Sequence, residues 1–246
     1  MSGSMDEHAG EPEKAATTIS TGVAEIDKKI DSGIPLGSLT LVEGENDTGK
    51  SVLANQVIWG AMKQGLSVDL YSTEVTANEF LSQMESLNLD ISDYFAWGYL
   101  RLFPLPAEGV EWSEDKMDAV LKRVLEYMGR SKAEVQIVDS LTICAKYASQ
   151  EMVVTFFTGC KEISDKGKTV LIVLHSYAFE EDMLVRIRSV CDAHLVMRKS
   201  LIGDKFVMVM ETVKVRGAKK TTGNMVSFEV HPGIGMKIIP ISMARV

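Results

Sequence analysis

The chain has 246 residues, of which 46% are hydrophobic and 24% are charged, and its formal net charge is −8. This composition is ordinary for a globular protein, and the acidic balance disfavours a protein that works on nucleic acid. No apolar run reaches the roughly 18 residues of a membrane-spanning helix, and the three cysteines are too widely spaced to indicate a metal cage.

The N-terminal segment differs in composition from the rest of the chain. Residues 1–16 are polar and contain no apolar run, so we predict a disordered tail rather than a secretion signal. Residues 17–246 carry the patterns of strands and helices, and one domain is the simplest interpretation. We therefore expect a cytoplasmic protein.

The first predicted elements are a short helix and a buried strand. Apolar residues recur at spacings of three and four at Val23, Ile26 and Ile30, which predicts the helix, and the apolar run over 39–42 predicts the strand. The next predicted elements, in chain order, are helix 50–63, strand 68–71, helix 77–87, strand 94–103 with a bend at Gly98, loop 104–109, helix 113–128, strand 135–138, helix 150–165, strand 169–174, helix 181–190 and extended segment 194–198.

The pattern changes in the last part of the chain. Strands are predicted over 205–215, 225–230 and 236–239, separated by turns that contain glycine and with no long helix between them. Strands that alternate with helices, followed by consecutive strands, predict an α/β fold. We expect a mainly parallel central sheet flanked by helices and extended by C-terminal antiparallel strands.

One motif indicates nucleotide binding. Gly44–Ser51 matches the P-loop pattern G-x-x-x-x-G-K-[ST], and it lies between a predicted strand and a predicted helix, as that motif requires. Gly44 and Gly49 would allow the backbone to curl so that its N–H groups point at phosphate oxygens. Lys50 would contact the β- and γ-phosphates, and the Ser51 hydroxyl would bind Mg²⁺.

The loop residues that we expect to contact the nucleotide are consecutive. They are Asn46, Asp47, Thr48, Gly49, Lys50, Ser51 and Val52. Asp47 is unusual, because it adds a negative charge to a loop that binds anions. Its carboxylate should therefore point away from the phosphates, or reach a metal-bound water or a partner.

Three further side chains follow predicted strands, where α/β sheets bind their ligands. Asp139 ends an apolar run in the Walker B pattern and would hold the Mg²⁺ shell, although many buried strands end in Asp. Glu74 could orient the water that attacks the nucleotide, or it could be an acid at the start of a helix. His175 could sense phosphate, or it could be a hydrogen-bonded core histidine.

Two cations lie at the end of the long strand 205–215. Alternation along a strand places Lys214 and Arg216 on one face. They could act on the nucleotide of a neighbouring subunit in the manner of an arginine finger. The alternative is a solvated strand end.

The order of these motifs resembles the RecA/KaiC superfamily of P-loop ATPases. The resemblance begins with Ser20–Asp27 and Gly33–Ser38, which precede the P-loop, and it extends to about residue 246. Lys214–Gly217 resembles the K-x-R-G motif of KaiC-like proteins, whose cations reach the nucleotide across a subunit boundary. Ser86 lies where a KaiC-like domain has a serine beside the nucleotide. The resemblance thus implies a RecA-like fold that binds ATP and Mg²⁺.

Within that superfamily, the chain most resembles the family of accessory ATP-binding proteins of the archaellum (archaeal flagellum) motor. This resemblance rests on the P-loop string and on the single-domain length. It implies a cytoplasmic protein that forms a homo-oligomeric ring, with a hexamer expected. It also implies two partners, the motor ATPase and a polytopic membrane platform protein, and no nucleic acid. Membrane association would come only through those partners.

The resemblance also bears on hydrolysis. KaiC-like proteins carry two consecutive glutamates where this chain has Glu74 followed by Val75. We therefore expect firm ATP binding with weak or no hydrolysis, in a regulatory or assembly subunit that works as a nucleotide-dependent switch. A RecA-like recombinase or mediator and a KaiC-like autokinase are the alternatives. The acids at 180–182 disfavour contact with a phosphate backbone.

Overall fold

The computed structural model describes residues 17–105, 112–202, 205–218 and 224–239. The strands are β1 Thr18–Ile19, β2 Ile34–Pro35, β3 Leu39–Gly44, β4 Val68–Ser72, β5 Leu100–Pro104, β6 Val135–Asp139, β7 Thr169–His175, β8 Ala193–Ile202, β9 Lys205–Val215, β10 Asn224–His231 and β11 Gly235–Ile239. The helices are α1 Ala24–Lys29, α2 Lys50–Lys63, α3 Ala77–Ser86, α4 Ser92–Ala96, α5 Glu114–Arg130, α6 Thr142–Tyr147, α7 Gln150–Asp165 and α8 Glu181–Val190.

A nine-stranded sheet in the order β11-β10-β9-β8-β3-β7-β6-β4-β5 organises the fold. The strands from β8 to β5 pair in parallel, whereas β9, β10 and β11 add antiparallel strands beyond β8. The predicted fold class is therefore confirmed. The sheet register places Gly44 beside His175 and Ser72 beside Asp139. The P-loop, Asp139 and His175 consequently lie at the same edge of the sheet.

Alternating strand residues belong to two separate cores. Val42 packs in the core with α1, α2 and α3, whereas its neighbour Leu41 packs in the core with α5, α7 and α8. The period of two residues puts these cores on opposite faces of the sheet. Helix α2 lies very close to the segment before α1, because a Cβ on Gly60 would be 1.7 Å from the carbonyl oxygen of Ser20. This contact holds the C-terminal half of α2 against the segment before α1.

Most predicted elements are confirmed. The bounds of α2, α7, α8 and β9 are those predicted, and the other predicted helices and strands, apart from the segment 94–103, lie within a few residues of the observed ones. Among the residues described, no helix is both long enough and apolar enough to cross a membrane. The predicted tail 1–16 and most of the predicted loop 104–109 lie outside the described residues.

The predicted strand over 94–103 is wrong in its first half. Helix α4 occupies Ser92–Ala96, and β5 begins only at Leu100. The Tyr94 ring packs at 6.4 Å from the Trp97 ring and lies under the Lys63 ammonium at the end of α2. Gly98 has a φ of 75°, so the predicted bend is present and separates the helix from the strand. Helix α6 and the short ribbon of β1 and β2 were not predicted.

Candidate functional site

The P-loop joins β3 to α2 at the middle of the sheet edge. Gly49 is the N-cap residue of α2 with a φ of 86°, a conformation that favours glycine. No side chain caps this helix end. The N–H groups of its first turn are therefore available to an anion, which the helix dipole also favours.

Gly44 has a different role from the predicted one. Its φ is not positive, so it does not provide the curl of the loop. A Cβ at Gly44 would instead lie 2.2 Å from the carbonyl oxygen of Met197 on the neighbouring strand β8. The glycine is required because two backbones approach each other closely there.

We expect Gly44→Ala to lower the free energy of unfolding by about 2 kcal/mol, because the added methyl group meets backbone that must shift. Urea unfolding measures this change. Gly129→Ala in α5 is a matched control, because a Cβ there meets nothing within 4 Å, and it should be neutral or stabilising. A Gly44→Ala protein as stable as the Gly129→Ala protein would contradict the steric explanation.

Lys50 is the first residue of α2 and is only 5% exposed. Its ammonium group donates a hydrogen bond to the carbonyl oxygen of Glu45 inside the loop. Burial lowers the pKa of Lys50, and the negative charges of Asp139 and Glu74 act against that change. A buried ammonium group that faces the loop is well placed for phosphate oxygens.

Ser51 and Asp139 meet beside Lys50. The Ser51 hydroxyl donates to Asp139 Oδ1 at 3.2 Å. Burial, and then the nearby charge of Glu74, raise the pKa of Asp139 to about 7, so its carboxylate lacks sufficient positive charge around it. A hydroxyl and a carboxylate with uncompensated charge suit a hard cation such as Mg²⁺. Among the residues described, no group of three or more His, Cys, Asp or Glu could hold a metal by itself.

Glu74 lies opposite the loop, between β4 and α3. Its Oε1 accepts a hydrogen bond of 2.9 Å from the buried hydroxyl of Ser140. The alternative for Glu74 was an acid at the start of a helix. At the start of α3 that role belongs to Glu79, which forms a capping box with Thr76. Glu74 is therefore free of that role and faces the loop.

These residues surround one cavity of about 510 Å³. A volume in the range of about 300–1,000 Å³ is typical of small-ligand sites. The cavity is lined by Asn46, Asp47, Thr48, Gly49, Lys50, Ser51, Val52, Glu74, Asp139, Val173, His175, Met208 and Val230. All seven predicted loop residues, Glu74 and Asp139 thus come together, and Met208 and Val230 add an apolar wall that was not predicted.

Asp47 points away from the loop interior. Its side chain is 88% exposed, and its carboxylate lies 3.6 Å from the Lys199 ammonium on β8. Its backbone has a φ of 53°, in the left-handed region that Asp tolerates better than most residues. The charge of Asp47 is therefore directed to solvent.

The two cations of the K-x-R-G motif do not reach the cavity of their own chain. Lys214 donates to the carbonyl oxygen of Cys191 at 2.6 Å, and Arg216 pairs with Asp192 at 3.0 Å. Val215 pairs with the first residue of β8, at the opposite end of the sheet from the P-loop. Contact of these cations with a nucleotide stays a prediction that requires a second subunit.

Ser86 also lies outside the cavity. It is the last residue of α3, and its hydroxyl donates to the carbonyl oxygen of Gln83 at 2.7 Å. Its own carbonyl oxygen accepts from the N–H of Gly233. Its predicted contact with a nucleotide is therefore not made by the cavity of one chain.

A buried ionic cluster directly before the P-loop was not predicted. Glu43 is 3% exposed, and its carboxylate accepts from Arg188 at 2.6 Å and from His194 at 2.9 Å. Burial by itself would raise the pKa of Glu43, but the hydrogen bonds from His194 and Arg188 lower it to about 2. The cluster anchors α8 and β8 to the residue that precedes Gly44.

Comparison with known proteins assigns a family to this arrangement. The family model described as "ATPase: KaiC" matches residues 19–243. The chain is similar to archaeal flagellar ATP-binding proteins named FlaH. It is 29% identical to that of Sulfolobus acidocaldarius, covering 92% of this chain and 99% of the relative. It is 31% identical to that of Methanocaldococcus jannaschii, covering 89% and 94%.

Solved structures agree with the family match. The crystal structure of the flagellar accessory protein FlaH from Methanocaldococcus jannaschii superposes with a TM-score of 0.80 and 27% identity, over 91% of this chain and 99% of that one. A KaiC-like protein from Pyrococcus horikoshii superposes with a TM-score of 0.73 at 18% identity, over 91% of this chain and 99% of that one. The second likeness concerns the fold alone.

Proposed function

Because the chain belongs to the KaiC family of ATPases and, within it, to the archaeal flagellar ATP-binding proteins named FlaH, we propose that it is an ATP-binding regulatory or assembly subunit of the archaellum motor. It acts as a nucleotide-dependent switch with weak or no hydrolysis. The observation that carries this proposal is the cavity in which residues 46–52 converge with Asp139 and Glu74.

Different residues of the cavity bind different parts of the nucleotide. The first turn of α2 and the Lys50 ammonium bind the phosphates. Ser51 and Asp139 would hold Mg²⁺, whose charge would offset that of the phosphates. Glu74, which accepts a hydrogen bond from Ser140, would orient the water next to the terminal phosphate.

Slow turnover follows from the residue after Glu74. Val75 packs against the hydrophobic core and has no proton acceptor to offer. Among the described residues that line the cavity, Glu74 is then the candidate base, since Asp139 is assigned to the metal and the Asp47 carboxylate is directed to solvent. ATP therefore persists in the site, and its presence or absence can favour different conformations of the subunit.

We expect steady-state phosphate release well below about 1 s⁻¹, the rate of an ordinary ATPase. Glu74→Gln should lower the residual rate by about tenfold or more, because it removes the base, and should leave ATP affinity within about twofold, because Glu74 does not hold the phosphates. A coupled phosphate assay and calorimetry measure the two quantities. Release at about 1 s⁻¹ or above in the wild type would overturn the switch.

The positions of the K-x-R-G cations support a ring. The P-loop and Lys214 lie at opposite ends of the central strands of one chain, so the cations of one subunit can meet the nucleotide of the next only in a head-to-tail arrangement. Head-to-tail contacts close into rings when the rotation permits. We propose a homo-oligomeric ring, most simply a hexamer, that assembles with ATP and Mg²⁺. Light scattering with and without ATP·Mg²⁺ tests this, and a mass that does not respond to nucleotide would oppose it.

The proposed partners are those that the resemblance to the archaellum accessory family implies. The ring would dock on the motor ATPase and on the polytopic membrane platform protein, at the cytoplasmic face of the membrane. The recombinase alternative is disfavoured by the acids at 180–182, at the start of α8. Salt-dependent binding of single-stranded DNA would revive it, and a phosphorylated Ser or Thr after incubation with labelled ATP would favour the autokinase.

A further inference from the structure

Asp192 joins the central strand β3 to the K-x-R-G motif. The residue lies between α8 and β8 and is only 8% exposed. Its backbone N–H donates to the carbonyl oxygen of Leu39, the first residue of β3, at 2.8 Å, and its own carbonyl oxygen accepts from the N–H of Arg216 at 2.8 Å. Because the P-loop follows the other end of β3, Asp192 is fixed at the edge of the sheet that lies opposite the nucleotide cavity.

The two carboxylate oxygens of Asp192 have different partners. Oδ2 accepts from the N–H of Leu39 and from the Lys161 ammonium, each at 3.0 Å. Oδ1 lies 3.0 Å from Nη1 of Arg216. The side chain of Asp192 is 11% exposed, whereas that of Arg216 is 57% exposed. An anchored, nearly buried acid therefore holds one side of a guanidinium group that is otherwise largely open to solvent.

Lys214, the other cation of the motif, connects the same part of the chain. Its ammonium donates to three carbonyl oxygens, those of Arg188 at 3.2 Å, Ser189 at 3.4 Å and Cys191 at 2.6 Å. These groups belong to the last turn of α8 and to the residue after it, where the helix dipole favours a cation. Lys214 thus joins the end of β9 to the end of α8, and this contact keeps Arg216 within reach of Asp192.

Open space adjoins the exposed side of Arg216. The residue lines a cavity of about 340 Å³ with Thr18, Asp31 and Ser32 from the segments on either side of α1. A guanidinium group presents its donors in a rigid fork, so one edge can pair with a carboxylate while another edge faces a phosphate. Because Asp192 already orients the side chain, less conformational entropy is lost when an anion binds to Arg216.

We propose that Asp192 is the positioning residue of Arg216, and that it holds the guanidinium group where a phosphate of the neighbouring subunit's nucleotide reaches it in the ring. The inference rests on the proposed function, because it needs the head-to-tail contact between subunits. It extends that function to an acid that belongs neither to the nucleotide cavity nor to the K-x-R-G motif. Arg216 makes the contact, and Asp192 acts only through Arg216.

Assembly of the whole chain in saturating ATP·Mg²⁺ tests the proposal, and light scattering gives the protein concentration at which half of the chains are assembled. We expect Arg216→Ala to raise this concentration by about tenfold or more, since a hydrogen bond to a charged group has about this effect. Asp192→Asn keeps the size of the side chain and an oxygen for Leu39 and Lys161, but it turns an amide N–H group towards Arg216. It should raise the concentration by about threefold to tenfold.

Further measurements separate this role from a structural one. Asp165→Asn removes the exposed acid that shares the Lys161 ammonium, and it should assemble like the wild type. In the Arg216→Ala background, Asp192→Asn should cause no further loss, because its partner is already absent, whereas a general defect would add to the first. Unassembled Asp192→Asn should bind ATP within about twofold of the wild type, because the P-loop lies at the other end of β3.

Arg216→Lys gives a test that does not depend on how the Asp192 variant folds, because the side chain is exposed. A lysine keeps the charge but lacks the fork of donors, so its ammonium cannot serve a carboxylate and a phosphate in the same geometry. This variant should also raise the concentration of half-assembly, by about threefold or more.

Each outcome decides the inference. An unchanged concentration of half-assembly in Arg216→Ala or in Asp192→Asn overturns it, and so does a further loss in the double variant. Assembly of Arg216→Lys like the wild type also overturns it. In these cases the ring and the ATP site still stand, since the wild type assembles with ATP·Mg²⁺. A wild type whose mass does not respond to nucleotide overturns the proposed ring together with the inference.

Discussion

Replacing Lys50 by alanine is expected to weaken ATP binding by about 100-fold, or about 2.7 kcal/mol. Lys50 is 5% exposed, and its ammonium is the cation that lines the cavity among the residues described. A charge-assisted hydrogen bond contributes about 1.5–3 kcal/mol, and a P-loop lysine contacts two phosphates. Equilibrium titration with a fluorescent ATP analogue measures the loss.

The Lys50→Ala protein should fold as well as the wild type. Burial disfavours the charged form of Lys50, as the lowered pKa of this group indicates, so removal of the charge does not weaken the folded state. Lys122→Ala, on the exposed face of α5, is the matched control and should change neither binding nor stability. Near-wild-type ATP affinity in Lys50→Ala would mean that the loop does not bind phosphates as proposed.

The Lys50→Ala variant also distinguishes ATP binding from the proposed nucleotide-dependent switch. If nucleotide drives assembly, Lys50→Ala should stay at the nucleotide-free mass when ATP·Mg²⁺ is added, whereas Lys122→Ala should assemble like the wild type. Assembly of Lys50→Ala at concentrations of ATP that it does not bind would show that ring formation is independent of the site. The switch would then be wrong even though ATP binding was right.

The parts of the fold that could be predicted are those with a local cause. Helix α7 has an apolar stripe along 16 residues, and its Ser149 side chain caps it, so both its period and its start are present in the sequence. Helix α4 has only five residues, and its aromatic residues favour a strand by propensity. In this helix Tyr94 packs near Lys63, and that contact joins distant parts of the chain.

Some residues of the candidate site could also be predicted from local patterns, and others could not. Asp139 and Glu74 could be predicted because each follows an apolar strand, and parallel strands end at one edge of a sheet. Met208 and Val230 could not be predicted, because their place in the cavity depends on the antiparallel strands β9 and β10 joining the sheet beyond β8. No local pattern specifies that order of strands.

The local sequence contains even less information about the ionic cluster around Glu43. Glu43 interrupts an apolar strand, and its partners Arg188 and His194 are 145 and 151 residues away in the chain. An acid in a buried strand is otherwise a local inconsistency, because an unpaired charge in a core is costly. Such an inconsistency next to the P-loop indicates that a partner must exist, but not which residue it is.

Glu43→Gln is expected to lower the free energy of unfolding by about 2–3 kcal/mol at pH 7, because it removes the charge that faces Arg188 and His194 in a buried site. The substitution keeps the size of the side chain and one acceptor oxygen, so no cavity is created. Urea unfolding measures the change. Glu181→Gln removes the other, exposed partner of the same guanidinium and should cost less than about 0.5 kcal/mol.

The pH dependence of this difference tests its cause. The pKa of Glu43 is about 2 in the folded protein against an ordinary 4.5, so folding favours the ionised form. The resulting stability, on the order of 3 kcal/mol, is complete above the unfolded pKa and is lost as the pH falls through the folded pKa. The gap between the wild type and Glu43→Gln should therefore close as the pH falls from 4.5 towards 2.

If the difference in the free energy of unfolding stayed constant down to pH 3, the destabilisation would come from lost hydrogen bonds rather than from lost charge. The reason is that the stabilities of a neutral and a titrating side chain change differently with pH only where protons bind.

The result also bears on the nucleotide site. Glu43 adjoins Gly44, whose backbone lies against Met197, so the cluster and the close strand contact together hold the start of the P-loop. If the charge of Glu43 holds this strand end, Glu43→Gln should weaken ATP binding, but less than Lys50→Ala does. The substitution makes the position of the P-loop less fixed, but it removes none of the groups that contact the phosphates.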